Sequence, residues 1–365
     1  MSDTSGTKSV VIVGGGNLGS ELAKALEGSM DVSLVERAEA YTHAPAMIRA
    51  LVDPSLLDRS LIPYDRLLSN GRVIKGEATL IDGDGVTLAD GTRVDADYVV
   101  LATGSGNMAP FKSTDGDIAA LREANAEWHD ALKQAKSVAI IGAGAVGTEL
   151  AGEIASAMPD KSVTLISGDD ALFPSLPKKL GASLRDKLQA MGVEVILGAR
   201  ATELPDGNTP GGGTVTLDSG KEISADLIVP AIGARLGSPL IDQLPDVQRT
   251  RDGRVETDGW MRPSSLANVF AAGDMADNGD HMTIVAVTRQ APWLAKLLKA
   301  AAEGKSIEAQ PAYKPWDKAP ILLPLGPKRG SSFLVITTVG DWITSMMKGR
   351  DLFLSKYQKS FGRKA

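Results

Sequence analysis

The chain has 365 residues, a hydrophobic fraction of 43% and a formal net charge of −6. This length is enough for two or three domains with sizeable cores, and the negative charge argues against nucleic-acid binding. Cysteine is absent and the three histidines lie far apart in sequence. These counts exclude disulfides, iron–sulfur clusters and thiol relays, and they disfavour a histidine metal site.

The first predicted unit has the order strand, helix, strand. A valine-rich run over 8–13 predicts a buried strand, and apolar residues at helical spacing over 18–26 predict a helix. A second strand over 32–35 closes the unit, which is typical of a parallel sheet. The turn between the first strand and the helix has the pattern G-x-G-x-x-G, made of Gly14, Gly15, Gly16, Asn17, Leu18 and Gly19.

This pattern predicts a dinucleotide site. Gly14 permits the tight turn, Gly16 lets a pyrophosphate approach the backbone, and Gly19 lets the helix pack closely on the strand. The helix N-terminus then offers free N–H groups and a positive dipole end to the phosphates. Glu36 follows at the end of the second strand, where a carboxylate accepts hydrogen bonds from a ribose.

A second unit repeats the pattern about 130 residues later. Its strands are predicted over 137–141 and 163–166, and its glycine turn is Gly142-Ala143-Gly144-Ala145-Val146-Gly147. Ser167 stands where the first unit has Glu36, with Asp169 and Asp170 just beyond, and no arginine follows immediately. The residues that would recognise the ribose are therefore not clearly defined. They favour NADH slightly and do not exclude NADPH.

The two units are linked by similar segments. A hairpin-like region over 73–88 contains Asp-Gly turn signals and leads to a buried strand that ends in Thr103 and Gly104. The second unit has a matching strand over 226–233 that ends in Gly233. A later strand over 266–276 ends in Ala272-Gly273-Asp274, and a helix is predicted over 288–302.

The tail from residue 311 onward differs in composition. A strand is predicted over 332–338, followed by an apolar stretch through Met347. Residues 325–365 hold eight basic and two acidic side chains, a net charge of +6, and the rest of the chain therefore carries −12. This asymmetry indicates a surface that faces an anionic partner, such as a membrane, or a cradle for cofactor phosphates.

Together these motifs resemble the flavoprotein oxidoreductases with two dinucleotide-binding domains. The resemblance covers nearly the whole chain and implies an α/β fold of two Rossmann-like domains with a short α+β C-terminal region. It implies an FAD-binding domain at 1–112 and 251–305, an NAD(P)H-binding domain at 113–250, and a C-terminal region at 306–365. In such proteins the residue matching Asp274 contacts FAD, and NADH or NADPH is the electron donor.

A narrower resemblance involves the ferroptosis-suppressor branch of the apoptosis-inducing-factor-like flavoproteins. It rests on Lys348-Gly349-Arg350-Asp351-Leu352-Phe353-Leu354-Ser355, on Ala102 to Ser105, on Pro110-Phe111-Lys112 and on Tyr41 to Arg49. The resemblance implies FAD contacts at Gly14 to Leu18, Arg49, Ile74 and Asp274. It also implies functional roles for Lys112, Glu149 and Lys348, while similarity to type II NADH dehydrogenases suggests that Gln290 lines the flavin and quinone site.

The resemblance implies an NAD(P)H:quinone oxidoreductase of the ubiquinone or vitamin K type. Hydride would pass from NAD(P)H to FAD and two electrons would then pass to the quinone without a cysteine relay. Two alternatives stay open: a reductase of a small redox protein of the ferredoxin or rubredoxin type, and an NADH-sensing interaction flavoprotein. A homodimer is also left open.

The sequence also suggests where the protein is located. Residues 1–8 are polar and residue 2 is Ser2, so we expect neither a signal peptide nor N-myristoylation. No apolar run is long enough for a transmembrane helix. We therefore expect a cytoplasmic protein, with the basic C-terminal tail as the segment that would contact a membrane surface peripherally.

Overall fold

The computed structural model describes residues 6–106, 110–113, 115–205, 207–232, 236 and 238–364. The helices within this part of the chain are α1 (Asn17–Leu26), α2 (Ala44–Ala50), α3 (Leu57–Ser60), α4 (Ile118–Gln134), α5 (Ala145–Ala157), α6 (Lys178–Ala190), α7 (Ile284–Ala302), α8 (Asp341–Thr344) and α9 (Leu354–Ser360). A π-helical turn, Ser345–Gly349, follows α8.

The strands are numbered in chain order. They are β1 (Ser9–Val13), β2 (Asp31–Glu36), β3 (Ala40–Thr42), β4 (Leu61–Pro63), β5 (Arg72–Lys75), β6 (Ala78–Asp82), β7 (Gly85–Leu88), β8 (Arg93–Asp95), β9 (Tyr98–Leu101), β10 (Ser137–Ile141), β11 (Ser162–Ile166), β12 (Val193–Ile196), β13 (Gly213–Thr216), β14 (Glu222–Ala225), β15 (Leu227–Pro230), β16 (Val255–Glu256), β17 (Val269–Ala271), β18 (Ala276–Asp277), β19 (Ile321–Pro324), β20 (Gly330–Phe333) and β21 (Thr338–Val339).

The first unit is a five-stranded parallel sheet with the order β17-β9-β1-β2-β5. Its strands are apolar on both sides because both faces of the sheet are covered. Val10 and Ile12 pack with α1 and α7, whereas Val11 and Val13 pack with the antiparallel β6-β7-β8 sheet. Strand β17 pairs with β9 although the whole second unit lies between them in the sequence. Residues before 102 and after 268 therefore share one core.

The second unit repeats this architecture with a four-stranded parallel sheet, β12-β11-β10-β15. Ile140 packs with Leu150 of α5 and Leu184 of α6 on one face, while Ile141 packs with Val215 and the β13-β14 hairpin on the other. The carboxyl ends of the parallel strands, where ligands bind in α/β sheets, therefore carry the two predicted glycine turns.

Three predicted elements had wrong boundaries. The strand predicted over 266–276 is limited to β17, Val269–Ala271, and Ala276 belongs to the separate short strand β18. Helix α7 begins at Ile284, four residues before the predicted start, because Thr283 caps it through a hydrogen bond from the Ala286 N–H to its side-chain oxygen. The predicted strand over 332–338 is a hairpin of β20 and β21 that turns at 334–337, with Phe333 opposite Thr338. Within the described residues, no helix has both the length and the apolar character needed to cross a membrane.

Candidate functional site

The two glycine turns lie at the carboxyl ends of β1 and β10. Gly14 has a φ of 104° and Gly142 a φ of 107°, a backbone conformation that residues with a Cβ rarely adopt. A Cβ at Gly19 would overlap the carbonyl oxygen of Gly14, and a Cβ at Gly147 would overlap that of Gly142. These glycines are therefore required by the turn itself and by the close packing of helix on strand.

Gly16 and Gly144 are different because a Cβ at either position would meet no atom within 4 Å. They are the N-caps of α1 and α5, and neither helix has a side-chain cap. The first N–H groups of both helices thus face open space, which is the arrangement that binds a diphosphate. The residues present fit one dinucleotide at each turn.

Glu36 lies beside the first turn, at the end of β2. Its carboxylate accepts a hydrogen bond from the Gly15 N–H at 2.5 Å and one from the Ala38 N–H at 2.8 Å. On the other side of the turn, Tyr64 donates its hydroxyl to the Gly15 carbonyl at 2.8 Å. The turn is therefore supported from two sides, and the carboxylate lies where a ribose of the dinucleotide would be recognised.

The neighbouring residues of the motif are also in place. The side chain of Leu18 is buried in the first core, and Asn17 Oδ1 accepts a short hydrogen bond from the hydroxyl of Tyr41. Tyr41 comes from the segment over 41–49 that carried part of the sequence resemblance. The side chain of Asn17 is thus fixed by Tyr41, a residue outside the glycine motif.

A second group of predicted residues lies at the ends of β9 and β17. Ser105 donates its hydroxyl to Asp274 Oδ2 at 2.8 Å, and the Lys112 ammonium donates to the Ser105 carbonyl. Burial lowers the pKa of Lys112, and the carboxylates of Asp274 and Glu36 oppose that shift. Lys112 therefore lies within electrostatic reach of both acidic groups of the first site.

Thr103 and Gly104 form the strand end beside these residues. Thr103 donates its hydroxyl to the sulfur of Met275 at 3.1 Å, which ties the end of β9 to the loop after β17. Gly104 has a φ of 67°, and a Cβ there would lie 3.8 Å from Lys112 Nζ. The ends of β9 and β17 and the side chain of Lys112 thus lie together at the carboxyl edge of the first sheet.

Gln290 holds the loop that carries Asp274. It is buried and lies in the second turn of α7, whereas the helix predicted over 288–302 would place it in the first turn. Its Oε1 accepts the Gly273 N–H at 2.9 Å, and its Nε2 donates to Asp280 at 3.1 Å and to Asn278 at 3.2 Å. Both ends of the amide therefore bind protein groups, which makes Gln290 a residue that positions the Asp274 loop.

The other two predicted catalytic residues form a buried ion pair. Lys348 Nζ lies 2.7 Å from Glu149 Oε1 and also donates to the Leu322 carbonyl at 3.1 Å. Glu149 lies in the second turn of α5 and is 3% exposed, so it is neither in the first turn nor on the surface. Burial raises the pKa of its carboxyl above the usual value, and the Lys348 ammonium opposes that rise.

Arg49 forms a second buried pair beside the first. Its Nε and Nη2 bind the two carboxylate oxygens of Glu153 at 2.9 and 2.8 Å. Glu153 lies one helical turn after Glu149 on α5, and burial raises its pKa while Arg49 opposes the shift. The guanidinium expected to contact FAD is thus held by a carboxylate of the second unit.

Two predicted cofactor-binding residues, Ile74 and Gly233, remain. Ile74 lies in the edge strand β5 opposite Val35 of β2, and it is partly buried. Gly233 lies outside the described residues.

Three further residues in these clusters were not predicted. Ser105 ends the segment Ala102 to Ser105 that carries part of the resemblance, but no role was expected for it, because its partner Asp274 is 169 positions away. Asp280 has no distinguishing sequence pattern. Glu153 could have been found from the sequence. It lies four positions after Glu149, and side chains at positions i and i+4 of a helix lie on the same face. Two acidic groups on a buried face require cationic partners.

The comparisons with known proteins agree with this geometry. A family model described as pyridine nucleotide-disulphide oxidoreductase matches residues 64–295. Apoptosis-inducing factor homolog B of Dictyostelium discoideum is 32% identical over 377 residues, which covers 97% of each chain. Ferroptosis suppressor protein 1 of Homo sapiens is 27% identical over 384 residues, covering 99% of this chain and 97% of the relative.

The solved structure of the sulfide:quinone oxidoreductase from Aquifex aeolicus has a TM-score of 0.76 at 16% identity and covers 98% of this chain and 92% of its own. At that identity the likeness concerns the fold. The predicted fold class, family and cofactors are thereby confirmed. The chain belongs to the pyridine nucleotide-disulphide oxidoreductase family, in the branch of apoptosis-inducing factor homologues and ferroptosis suppressor proteins, and is an FAD-dependent oxidoreductase that takes electrons from NAD(P)H.

Proposed function

We propose that this protein is an NAD(P)H:quinone oxidoreductase. The observation that carries the proposal is the presence of two open glycine turns in one chain that contains no cysteine. Two dinucleotides in one chain favour electron transfer between them, and without a thiol the electrons must leave the flavin directly for the acceptor. A quinone takes two electrons and two protons in this way.

The first turn is the proposed FAD site. Gly14 to Gly19 and the N-terminus of α1 would hold the diphosphate, Glu36 the ribose, and Asp274 the flavin end, with Thr103, Gly104 and Ile74 lining the cradle. Lys112 would add positive charge next to Asp274, and Gln290 would keep the Asp274 loop in place. When bound, the flavin supplies the hydride and electron chemistry.

The second turn is the proposed nicotinamide site. Gly142, Gly144 and Gly147 with the N-terminus of α5 would hold its diphosphate, and the sequence pattern adds Gly233 to the proposed site. Glu149 follows on the same helix and holds Lys348 from the C-terminal region. We propose that this pair orients the nicotinamide and keeps a proton available, because an ammonium with a buried carboxylate partner donates hydrogen bonds from a fixed position.

Arg49 bridges the two units. Its guanidinium comes from α2 and binds Glu153 on α5. We propose that it contributes to FAD binding while holding the two domains, 1–112 with 251–305 and 113–250, in one relative orientation.

The C-terminal region over 306–365 is the proposed acceptor-facing part. Ile336 at the β20-β21 turn is 94% exposed and Trp342 on α8 is 69% exposed, with Met346 also exposed. Exposed large apolar side chains in the same segment as the exposed cations Lys328 and Arg329 suit contact with an anionic membrane, whose hydrocarbon core dissolves long-chain quinones. We therefore include peripheral membrane contact in the proposal.

The proposal is tested by steady-state assays of the FAD-loaded protein with NADH or NADPH and a short-chain ubiquinone. We expect oxidation of one dinucleotide per quinone reduced. Purified protein without flavin, or flavin that stays reduced in the presence of quinone, would contradict the proposal. Activity that requires an acidic redox protein and is lost with added salt would instead favour the small-protein reductase.

A matched pair of substitutions separates the two sites. Gly16→Ala and Gly144→Ala have room for the new methyl group in the protein but place it where a diphosphate would lie. We expect each variant to fold with the far-UV circular dichroism spectrum of the wild type. G144A should keep its melting temperature, whereas G16A should melt at a lower temperature because it lacks the stabilising FAD. G16A should lose flavin absorbance. G144A should keep FAD, and its KM for the nicotinamide dinucleotide should rise about ten-fold or more. A ten-fold rise corresponds to a loss of about 1.4 kcal/mol of binding free energy when the diphosphate can no longer approach the backbone.

A further inference from the structure

The ribose end of the second site differs from that of the first. The strand registers are equivalent, since Val13 lies opposite Val35 in the first sheet and Ile141 lies opposite Ile166 in the second. The residues one position further are Glu36 and Ser167. Ser167 is buried, and its hydroxyl accepts the Asp169 N–H at 3.2 Å, so it supplies no carboxylate for a ribose.

A guanidinium takes the place next to this serine. A Cβ at Gly168 would lie 2.9 Å from Arg200 Cγ and 3.2 Å from Arg200 Nε, so the arginine side chain runs closely over the glycine backbone. Arg200 follows β12, and Gly168 follows β11. Because these strands are parallel neighbours, their carboxyl ends place both residues at the same edge of the sheet. A side chain at 168 would force the Arg200 side chain to move away from this position.

Arg200 is held by its backbone and leaves its head group accessible. Its N–H donates to Asp218 Oδ1 at 3.3 Å, and its carbonyl accepts the Asp218 N–H at 2.8 Å. The side chain is exposed, and within the described ranges its guanidinium has no ion pair or hydrogen bond. An anchored arginine without a protein partner at a nucleotide site suits a phosphate, because guanidinium binds phosphate oxygens in a bidentate geometry.

The two nearby aspartates do not occupy this position. Asp169 uses its carbonyl to accept the Gly198 N–H, and the Asp170 carboxylate lies against Gly198, 2.6 Å from where a Cβ of that residue would be. Both side chains are exposed and flank the end of β11. Their negative charge would weaken binding of a second phosphate, so the arginine must outweigh it locally.

We infer that Arg200 binds the 2′-phosphate of a phosphorylated dinucleotide, so that the second site accepts NADPH. The inference rests on the proposed assignment of the second glycine turn to the nicotinamide dinucleotide. The 2′-phosphate carries close to two negative charges at neutral pH and lies on the adenosine ribose, at the strand end where Ser167 replaces a carboxylate. The sequence alone leaned toward NADH because Arg200 is distant in the chain from Ser167.

The test measures binding of NADP⁺, NAD⁺, 2′-AMP and 5′-AMP to the FAD-loaded protein by isothermal titration calorimetry. We expect Arg200→Ala to weaken NADP⁺ and 2′-AMP binding about ten-fold or more while NAD⁺ and 5′-AMP change less than about two-fold, as for loss of one charged hydrogen-bonding group. Arg200→Lys should keep part of the preference, because it retains charge without the fork geometry.

The control is Arg185→Ala, which removes an exposed arginine from the middle of α6, where it pairs with Asp186. It should leave all four affinities unchanged. An NADP⁺ to NAD⁺ affinity ratio that is the same in wild type and R200A would overturn the inference while leaving the proposed function intact. Failure of the wild-type protein to bind either dinucleotide would overturn the proposed site assignment and the inference with it.

Discussion

At the scale of single residues, the two buried ion pairs are the most consequential feature. Glu149 and Glu153 lie one turn apart on α5. Burial removes both carboxyl groups from water and raises the pKa of each. Lys348 and Arg49 neutralise them from two other segments of the chain. A buried carboxylate without its partner is strongly unfavourable, so each cation is required by its acid whatever its role in catalysis.

We expect Lys348→Met to destabilise the fold by about 3–5 kcal/mol at neutral pH, because it leaves the Glu149 carboxylate buried and unpaired. Loss of the ammonium also raises the pKa of Glu149 further above its unfolded value. The folded state then binds a proton more tightly than the unfolded state, so stability falls as pH rises above the ordinary glutamate pKa. Urea unfolding at pH 5 and pH 8 measures this difference.

The matched control is the double variant Glu149→Gln/Lys348→Met, which removes both charges. It should recover most of the lost stability and lose the additional pH dependence that K348M introduces, yet NAD(P)H oxidation should stay low if the pair acts in catalysis. Equal destabilisation of K348M at both pH values would contradict the assignment of the effect to Glu149.

At the scale of elements, α9 supports the first glycine turn. Tyr357 stacks on Tyr41 with ring centroids 5.5 Å apart, and Phe361 contacts the rings of Tyr41 and Tyr64. Tyr41 and Tyr64 in turn bind Asn17 and the Gly15 carbonyl through their hydroxyl groups. The last helix of the chain is therefore packed against the residues that hold the proposed FAD site.

His43 connects the same cluster to the tail. It is fully buried, lies 4.7 Å from the Tyr357 ring, and its Nε2 is 2.6 Å from the Leu352 carbonyl. Burial lowers the pKa of His43 to about 4, and the Lys348 and Lys356 charges add to this effect while the Leu352 carbonyl and Asp351 oppose it. The folded state therefore keeps this ring neutral.

We predict that His43 makes the folded state less stable in acid. Because the folded pKa of His43 lies below the unfolded value, its contribution is complete above about pH 6.5 and is lost as pH falls toward 4, an effect of about 3 kcal/mol. The comparison is wild type against His43→Gln, which keeps a donor for the Leu352 carbonyl. Denaturant unfolding between pH 7 and 4.5 should show a smaller acid loss for H43Q, and parallel curves would rule the effect out.

At the scale of the whole molecule, charge is unevenly distributed. The segment over 325–365 carries +6 and the rest carries −12, but the structure uses some of the tail charges internally. Lys348 is buried against Glu149, and Arg363 pairs with Asp65. Lys328, Arg329 and Arg350 of the same segment are exposed, as are Ile336 and Trp342, and these side chains are available to an anionic partner.

We expect the protein to co-sediment with vesicles that contain phosphatidylserine and much less with neutral phosphatidylcholine vesicles. Each exposed cation near an anionic surface contributes about 1 kcal/mol, and added salt screens that attraction. Trp342→Ser should reduce binding because it removes the most exposed aromatic side chain of the tail. The control Leu80→Ser removes an exposed leucine from β6 and should bind as wild type; equal binding by all three proteins would remove the tail from the membrane proposal.

Sequence by itself determined the two parallel sheets, both glycine turns and the position of Glu36. Valine-rich strands, helical apolar spacing and glycines in a fixed pattern are local signals, and a positive φ at Gly14 or Gly142 requires glycine whatever the rest of the chain does. The same local reasoning could place Asp274 at a strand end but could not show that Ser105 and Gln290 hold it there.

The tertiary structure decided which distant side chains meet. Lys348 and Glu149 are 199 positions apart, Arg49 and Glu153 are 104 apart, and the approach of Arg200 to Gly168 depends on β11 and β12 being neighbours in the sheet. It also turned the predicted strand over 332–338 into a hairpin. These features depend on the packing of helices and sheets against one another, because burial and the reach of long side chains, rather than any short-range pattern, determine which charges must pair.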